Sequence, residues 1–592
     1  MQLCTTTTGR AGGRPQIMAT RGVVSSGHYL ATDIGLDLLK QGGNAADAAA
    51  AVGFALTVLK PHQNGIGGEV PVLLWSSAAE RSFAVSGHGV APRAATLEHF
   101  AELGLALIPG DGFLPALVPP APATWILLLE RFGTKRLCEV LEPALALART
   151  GFPMYESLRN TIAGSAERFR GEWPASAETY LVDGQPPALG TVWKQSEWAE
   201  TFEKLAAADR REKDRGAGLR RARELFYAGG IAAALVDFAR RTAVRDASGE
   251  AHTSLLTSED FADFRASIEA PIATSYRDLQ VLKCSAWTQG PVLLQALRLL
   301  RGFDLQALRH NSADYIHIVV ECMKLAFADR EFYYGDPAFV DVPFGRLLSE
   351  AYAAERRRLI DPEHASLALR PGGFPPLRAQ TVAAVNAAFA AAAGGGHHGD
   401  TTKLEIIDRD GNMVSATPSG GWLQSSPVVP GLGFPLGTRG QMFSLVPGHP
   451  NCLAPGKRPR TTLTPSLALK GGKPYLAFGS PGGDSQDQWA LQFLLNVVEF
   501  GMCLQEAVEA PTFTSLHCPS SFYPRGCTPG GLAVEGRIDD SVCEALRARG
   551  HLLTVEASFS GGNTLAAGID QNTDVLHAAA SPRLDPAYAA GW

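Results

Sequence analysis

Thr401 has the setting that most directly suggests covalent chemistry in this 592-residue chain. Residues 388–396 read AFAAAAGGG within the small-residue stretch 383–400, and His397-His398-Gly399-Asp400 then leads into Thr401-Thr402 and a strand-like run from Leu404. Such a tract buries little surface and reads as a mobile tether. A cut after Asp400 would give Thr401 a free α-amine beside its hydroxyl, so that one residue supplies both nucleophile and base. An α-amine titrates near ~8 in model peptides, which leaves part of it unprotonated at neutral pH and able to take the hydroxyl proton directly or through one water. The β-branch restricts χ1 and helps to aim the hydroxyl. Attack of the same hydroxyl on the Asp400 carbonyl would make the cut, through an ester that water opens.

A nucleophile of this kind needs a rigid frame. Four segments read as strand, turn, strand: Val70 to Trp75 with Phe83 to Ser86, Leu404 to Ile407 with Met413 to Thr417 across Asp410-Gly411, Ser466 to Leu469 with Tyr475 to Phe478 across Gly471-Gly472, and Leu565 to Ile569 with Val575 to Ala578. Between them, apolar residues recur at three and four over Leu30 to Gln41, Ala45 to Leu59, Ala123 to Arg131, Cys138 to Arg149, Val292 to Arg301, Ala313 to Ala328 and Trp489 to Phe500, which predicts helices. Helices covering antiparallel sheets make an α+β layered architecture. The mixed-charge run Asp209 to Arg223 reads as a solvated helix face.

Composition narrows the functional classes. With 45% hydrophobic residues, 19% charged and a net charge of -6, the chain reads as an ordinary globular protein without a nucleic-acid-binding footprint. The nine cysteines include no C-x-x-C pair, which argues against a zinc ribbon, a redox motif or a disulfide framework. His397-His398 and His28 lack metal-ligand spacing, and Gly65 to Gly68 lacks the Lys-Ser/Thr of a phosphate loop, so neither metal nor cofactor is expected. The polar start, Met1 to Gln16, has no apolar core, and the longest apolar run, Ala48 to Leu59, is too short to span a bilayer. The expectation is a soluble, cytoplasmic protein acting on a small molecule, without nucleic-acid or membrane partners; a homo-oligomer is left open.

A wider constellation surrounds Thr401. Asp408-Arg409-Asp410-Gly411-Asn412, Val414-Ser415-Ala416-Thr417, Lys457-Arg458-Pro459, Thr461-Thr462-Leu463-Thr464-Pro465 and Gly479-Ser480-Pro481-Gly482-Gly483 together resemble the small subunit of γ-glutamyltransferases. In the amino-terminal half, Gly42-Gly43-Asn44-Ala45-Ala46-Asp47-Ala48-Ala49, Asn64-Gly65-Ile66-Gly67-Gly68, Ala91-Pro92, Lys324 to Arg330 and Tyr334-Gly335-Asp336-Pro337 resemble the large subunit, in the same order. The resemblance implies a four-layer αββα sandwich of the N-terminal nucleophile hydrolase type, with two antiparallel sheets between helical layers. It implies autocatalytic cleavage between Asp400 and Thr401, giving a flexible arm over 1–20, a large subunit over 21–400 and a small subunit over 401–592, intertwined in one sandwich. Carried over residue by residue, Thr401 is the nucleophile, Gly482 and Gly483 supply oxyanion-hole amides, and Ser419 stands where the family has a Thr that hydrogen-bonds the nucleophile.

The amino-acid clamp departs from that pattern. His88 stands at the position of the family's carboxylate-binding Arg, Met442 at that of the Asp that holds the α-amine, and Thr461-Thr462 at that of a Ser pair. A thioether cannot pair an ammonium, and a charge-assisted contact is commonly worth ~1.5–3 kcal/mol. Glutathione is therefore not the expected substrate. His88, Arg93 and Arg439 are candidates to meet a carboxylate or an oxalyl-like group. The departures resemble those of γ-glutamyltransferase-like amidohydrolases of small α-keto amides such as oxamate. They also resemble relatives that release an oxalyl fragment by C–C cleavage on the way to 4-alkylproline units of lincosamide and pyrrolobenzodiazepine antibiotics. The alternative from another class is an unprocessed, non-catalytic binding or scaffold protein. Lys403 falls in no motif.

Overall fold

The computed structural model describes residues 13–373, 379–391, 401–583 and 585–592. Of the flexible arm expected over 1–20, residues 1–12 lie outside the described residues while Ile17–Ala19 form a strand. Of the mobile tract expected over 383–400, the part up to Ala391 belongs to a helix, Ala379–Ala391, and 392–400, with Asp400, lie outside the described residues.

Fourteen strands form two seven-stranded antiparallel sheets. In chain order they are β1 (Ile17–Ala19), β2 (Val23–Ser26), β3 (Val72–Ser76), β4 (Arg81–Ser86), β5 (Ser267–Glu269), β6 (Ile272–Tyr276), β7 (Leu279–Lys283), β8 (Leu404–Ile407), β9 (Met413–Ala416), β10 (Ser466–Lys470), β11 (Lys473–Gly479), β12 (Leu565–Asp570), β13 (Val575–Ala580) and β14 (Tyr588–Gly591). One sheet runs β1-β13-β12-β11-β10-β7-β6 and the other β14-β2-β8-β9-β3-β4-β5. All four hairpins read from the sequence form. The strands that the sequence left unannounced are chiefly the short ones that flank them. One of these is β2, which pairs with β8 at Leu404↔Ser26 and so borders the strand that Thr401 precedes.

The burial pattern gives the layers. Val24, Leu404, Ile406, Val414 and Ala416 pack outward against helices that include α1 (Ala45–Leu59). Val281, Ala468, Leu476 and Phe478 pack outward against α2 (Pro291–Leu300), α3 (Ala313–Tyr333) and α4 (Gln486–Val498). Ile407, Met413, Leu467 and Ala477 fill the space between the sheets. Alternation along each strand produces this division, and the order of layers is helix, sheet, sheet, helix, as the resemblance implied.

All seven helices read from the sequence are present. The Asn44–Asp47 motif proves to be a capping box for α1, with Asn44 Oδ1 accepting from Ala46 N at 3.0 Å and Asp47 N at 3.1 Å. Asp408, at the far end of β8, accepts from Ala45 N at 2.9 Å, which ties that helix start to the strand that Thr401 precedes. One reading needs correction: Asp209, within the run taken as a solvated face, is fully buried, because its carboxylate accepts from Arg136 and from Cys138 N at 3.0 Å. Among the described residues no helix is long and apolar enough to cross a membrane.

Candidate active site

Thr401 lies three residues ahead of β8, bridged antiparallel to Ser419 in the register of Leu404↔Ala416, and is 2% exposed. Its Oγ1 is 3.1 Å from Ser419 Oγ. Ser419 is fixed on its other side by Glu69, with Glu69 N donating to Ser419 O at 2.8 Å and Ser419 N donating to Glu69 O at 2.9 Å. Glycine at position 68 makes this approach feasible: a β-carbon there would sit 2.2 Å from Ser419 O. The Gly-rich loop of the amino-terminal half therefore works as a seat for the Ser419 turn.

Arg439 completes the cluster. Its Nη2 donates to Ser419 Oγ at 2.8 Å and its Nε donates to the Glu69 carboxylate. Both ions are buried, Arg439 at 2% and Glu69 at 4% exposure. The guanidinium lies over the rings of Trp422 and Phe522, 5.2 Å and 5.6 Å from their centroids. Burial pushes the Glu69 carboxyl up from its usual range, opposed by the charge and hydrogen bond of Arg439. Ser419 Oγ accepts from Arg439 Nη2, and in its contact with Thr401 Oγ1 either hydroxyl can be the donor.

Met442 packs with Trp422 and Phe522, its sulfur 3.9 Å from Arg439 Nη1. The position that matches the family's amine-binding carboxylate is thus an apolar wall beside a cation. His88 is buried next to the same charge. Burial above all, with the charge of Arg439 second, lowers its pKa to about 3. Its Nδ1 lies 3.0 Å from Gly89 O, which assigns the ring hydrogen to that nitrogen and leaves Nε2 as a lone-pair acceptor with no partner among the described residues. An imidazole held neutral this far below its ordinary value cannot supply a titration near neutrality. We expect His88→Gln to leave the limbs of the kcat/KM profile between pH 5 and 8 where they are in the wild type; a limb that disappears would contradict the assignment.

Arg93, by contrast, is at the surface, paired with Asp263, and joins none of these groups. Thr461 is held by its backbone, with its N donating to Trp287 O at 2.9 Å and its O accepting from Gln289 N at 2.8 Å. Thr462 Oγ1 is buried without a partner among the described residues.

Gly482 and Gly483 form a tight turn with φ of 124° and 56°, conformations that side chains strain to adopt. A β-carbon on Gly482 would also sit 2.2 Å from the Trp489 ring. Asp484 anchors the turn, accepting from Ser521 N and Oγ, both at 2.7 Å, and from Arg330. The Lys324–Arg330 motif thereby finds its use. Asp336 likewise accepts from Arg458 Nη2 at 2.7 Å, joining two other motifs. The turn approaches the segment that carries Thr401 through Gly479, where a β-carbon would be 2.4 Å from Lys403 Cε.

Sequence reasoning named Thr401, Ser419, Arg439 and Met442, which the fold brings together, but it missed Glu69, Trp422 and Phe522. Glu69 follows the Asn64–Gly68 motif directly, and that adjacency was the available signal.

Residues 31–591 match the family model described as gamma-glutamyltranspeptidase. The acylase ACY 1 proenzyme of Pseudomonas sp. strain SE83 is 34% identical over 557 residues, covering 92% of this chain and 89% of that protein. The solved structure of LmbA2991HD is 45% identical with a TM-score of 0.92, covering 98% of this chain and 100% of that one. A cephalosporin acylase structure from Bacillus halodurans is 30% identical with a TM-score of 0.83, covering 100% and 99%. With an αββα sandwich and a family match over nearly its whole length, the chain belongs to the gamma-glutamyltranspeptidase family of N-terminal nucleophile hydrolases.

Proposed function

We propose that the protein is an autoprocessing acylase that cuts itself between Asp400 and Thr401 and then uses Thr401 to take up a short acyl group carrying a carboxylate close to the scissile carbonyl. The observation that carries this reading is the position of Arg439, two hydrogen bonds from Thr401 Oγ1 through Ser419. A cation so close to the nucleophile suits an oxalyl- or oxamyl-like acyl group, whose carboxylate adjoins the carbonyl under attack. The longer γ-glutamyl chain would need its ammonium held where Met442 stands, and a thioether supplies no such charge. Two acylases among the relatives are in keeping with the reading.

In this scheme the Thr401 α-amine takes the hydroxyl proton, Oγ1 adds to the carbonyl, and the Gly482 and Gly483 amides hold the oxyanion. Collapse expels the leaving group and leaves an acyl-Thr401 ester, which water opens. Arg439 orients the substrate carboxylate with Thr462 Oγ1 beside it, and the His88 Nε2 lone pair accepts a hydrogen from the remainder of the substrate. Ser419 donates to Thr401 Oγ1 as charge develops there. Ser419→Ala removes that donor, and kcat should fall about 10- to 100-fold, from a contact worth ~1.5–3 kcal/mol, with KM little changed.

The same steps serve C–C cleavage. If the oxalyl carbonyl is bonded to carbon, collapse expels a stabilised carbanion or enamine that takes up a proton, and water releases oxalate from the ester. The nearness of Arg439 to Thr401 suits this second reading equally, and the resemblance to relatives that form 4-alkylproline antibiotic units is what suggests an oxalyl-substituted proline as its substrate. A panel of γ-glutamyl anilide, oxamate, an N-oxalyl amide and an oxalyl-substituted proline tests the proposal. Turnover of oxamyl or oxalyl compounds over γ-glutamyl anilide is expected. Efficient γ-glutamyl turnover with none of the oxalyl class would overturn it.

A further inference from the structure

The apolar filling between the sheets gives way, beside Thr401, to buried charge. Lys403, just before β8, and Glu405 and Ile407 within it fall at alternate positions, and Ile407 belongs to the core between the sheets, so Lys403 and Glu405 lie on the inner face. Both are fully buried, with Lys403 Nζ 2.6 Å from Glu405 Oε1. Lys403 Nζ also donates to Ser415 Oγ at 2.7 Å and to Ala416 O at 3.2 Å.

The contacts continue across the sandwich. Ser415 Oγ accepts from Ser466 N, on β10 of the opposite sheet, at 3.2 Å. Ser466 Oγ accepts from Lys283 Nζ at 2.8 Å, and Lys283 Nζ pairs with Asp487 Oδ1 at 2.9 Å, again with both ions fully buried. Thr464 Oγ1 donates to the same Asp487 oxygen at 3.0 Å. Asp487 is the second residue of α4, which begins three residues after Gly483. A continuous buried path therefore runs from Lys403 to Asp487 in the first turn of α4, the helix that follows the glycine turn, and the Lys403 stem against Gly479 forms a second, shorter link.

Buried ion pairs are weak sources of stability, since apolar replacements of similar volume are often neutral or stabilising, so their presence here asks for another reason. Resting on Thr401 as the processed nucleophile, we propose that Lys403–Glu405 and Lys283–Asp487 are positioning pairs that hold Thr401 in register with the Gly482–Gly483 turn, for self-cleavage and for turnover alike. They act through the two elements they join and touch no reacting atom. A displacement of about 1 Å between nucleophile and oxyanion donors can cost on the order of 100-fold in rate.

The charge state of the network supports a second readout. Glu405 faces Lys403 on its own strand, Ser415 on β9 and Lys283 on β7, with Cys284 next to Lys283, Ser466 on β10 and Asp487 on α4 beyond. Burial pushes its carboxyl up to about 7 against the opposing pull of Lys403, Ser415 and Lys283. A carboxyl raised in the folded state favours folding below its ordinary value and loses that contribution as pH rises toward about 7. The ionised pair accordingly completes itself near neutrality, and its contribution to kcat should rise over the same range.

The test uses the full chain and a double variant, Lys403→Met/Glu405→Leu, which removes both charges together. We expect a Tm at or above the wild type, slower self-cleavage, kcat lower by about 10- to 100-fold, KM within about twofold, and loss of the kcat limb near pH 7. Lys283→Met/Asp487→Leu, at the far end of the path, should give the same separation of kcat from KM and decides the matter if the first variant is insoluble. A wild-type kcat and cleavage rate in either folded double variant overturns the inference while Thr401 remains the nucleophile. A wild-type chain that never cleaves overturns the Thr401 reading and this inference with it.

Discussion

Thr401→Ala is expected to yield one uncut chain of 592 residues that turns over no substrate, because the substitution removes the group that both makes the cut and forms the acyl ester. The loss should be at least about 10⁴-fold in kcat, in line with removal of the nucleophile from hydrolases that act through a covalent ester. Folding should survive. Thr401 is small, and its side-chain contact to Ser419 leaves Ser419 still satisfied by Arg439. Thr401→Ser keeps both hydroxyl and amine but loses the β-branch that restricts χ1, so it should be cut and active at reduced rates. Equal activity in Thr401→Ala and the wild type, measured on the same substrate, would remove the basis for the mechanism.

Arg439→Met is the substitution with the next largest expected effect, and it acts on stability and rate by separate routes. The pair it breaks is buried, and removing one partner of such a pair costs ~3–5 kcal/mol because an uncompensated charge is left behind. Glu69 would be that charge. Its carboxyl is already raised by burial and loses the opposing cation, so its folded-state pKa rises further above the unfolded value. The sign follows: protonation at low pH relieves the penalty, and the deficit against wild type should be smaller at pH 5 than at pH 8 in urea melts. Adding Glu69→Leu should recover most of the lost stability. It should not recover kcat, because Ser419 still lacks the Arg439 donor and the substrate carboxylate its partner. Equal stability of Arg439→Met and wild type at both pH values would show that the pair does not hold the site together.

Much of this was legible in the residues themselves. The Ala/Gly tract ending at Asp400 marks Thr401 by contrast of composition, and the Asp410-Gly411 and Gly471-Gly472 turns announce two hairpins by backbone conformation alone. Local patterns of this kind are carried by neighbouring residues. The site is otherwise built from partners that no local pattern links: Arg439 and Glu69 are 370 positions apart, and Lys283 meets Asp487 from a separate sheet strand. Strand β2 went unread because four residues, Val23–Ser26, buried on both faces, show no alternation. His88 could be named as a departure, but not as a lone-pair acceptor. That follows from the Gly89 carbonyl beside Nδ1, which only the fold supplies.

The charged path behind Thr401 and the Arg439 cluster in front of it divide the work of the site. One sets where the nucleophile stands relative to the glycine turn, and the other sets which acyl group can stand beside it. Both depend on Thr401 being a free amino terminus. Intact-mass spectrometry of the purified wild-type chain, with amino-terminal sequencing of the smaller fragment, tests that claim most directly. The account predicts two fragments that remain associated, the smaller beginning Thr-Thr-Lys-Leu at Thr401 and running to Trp592. A single uncut chain, or a fragment beginning at any other residue, would contradict it.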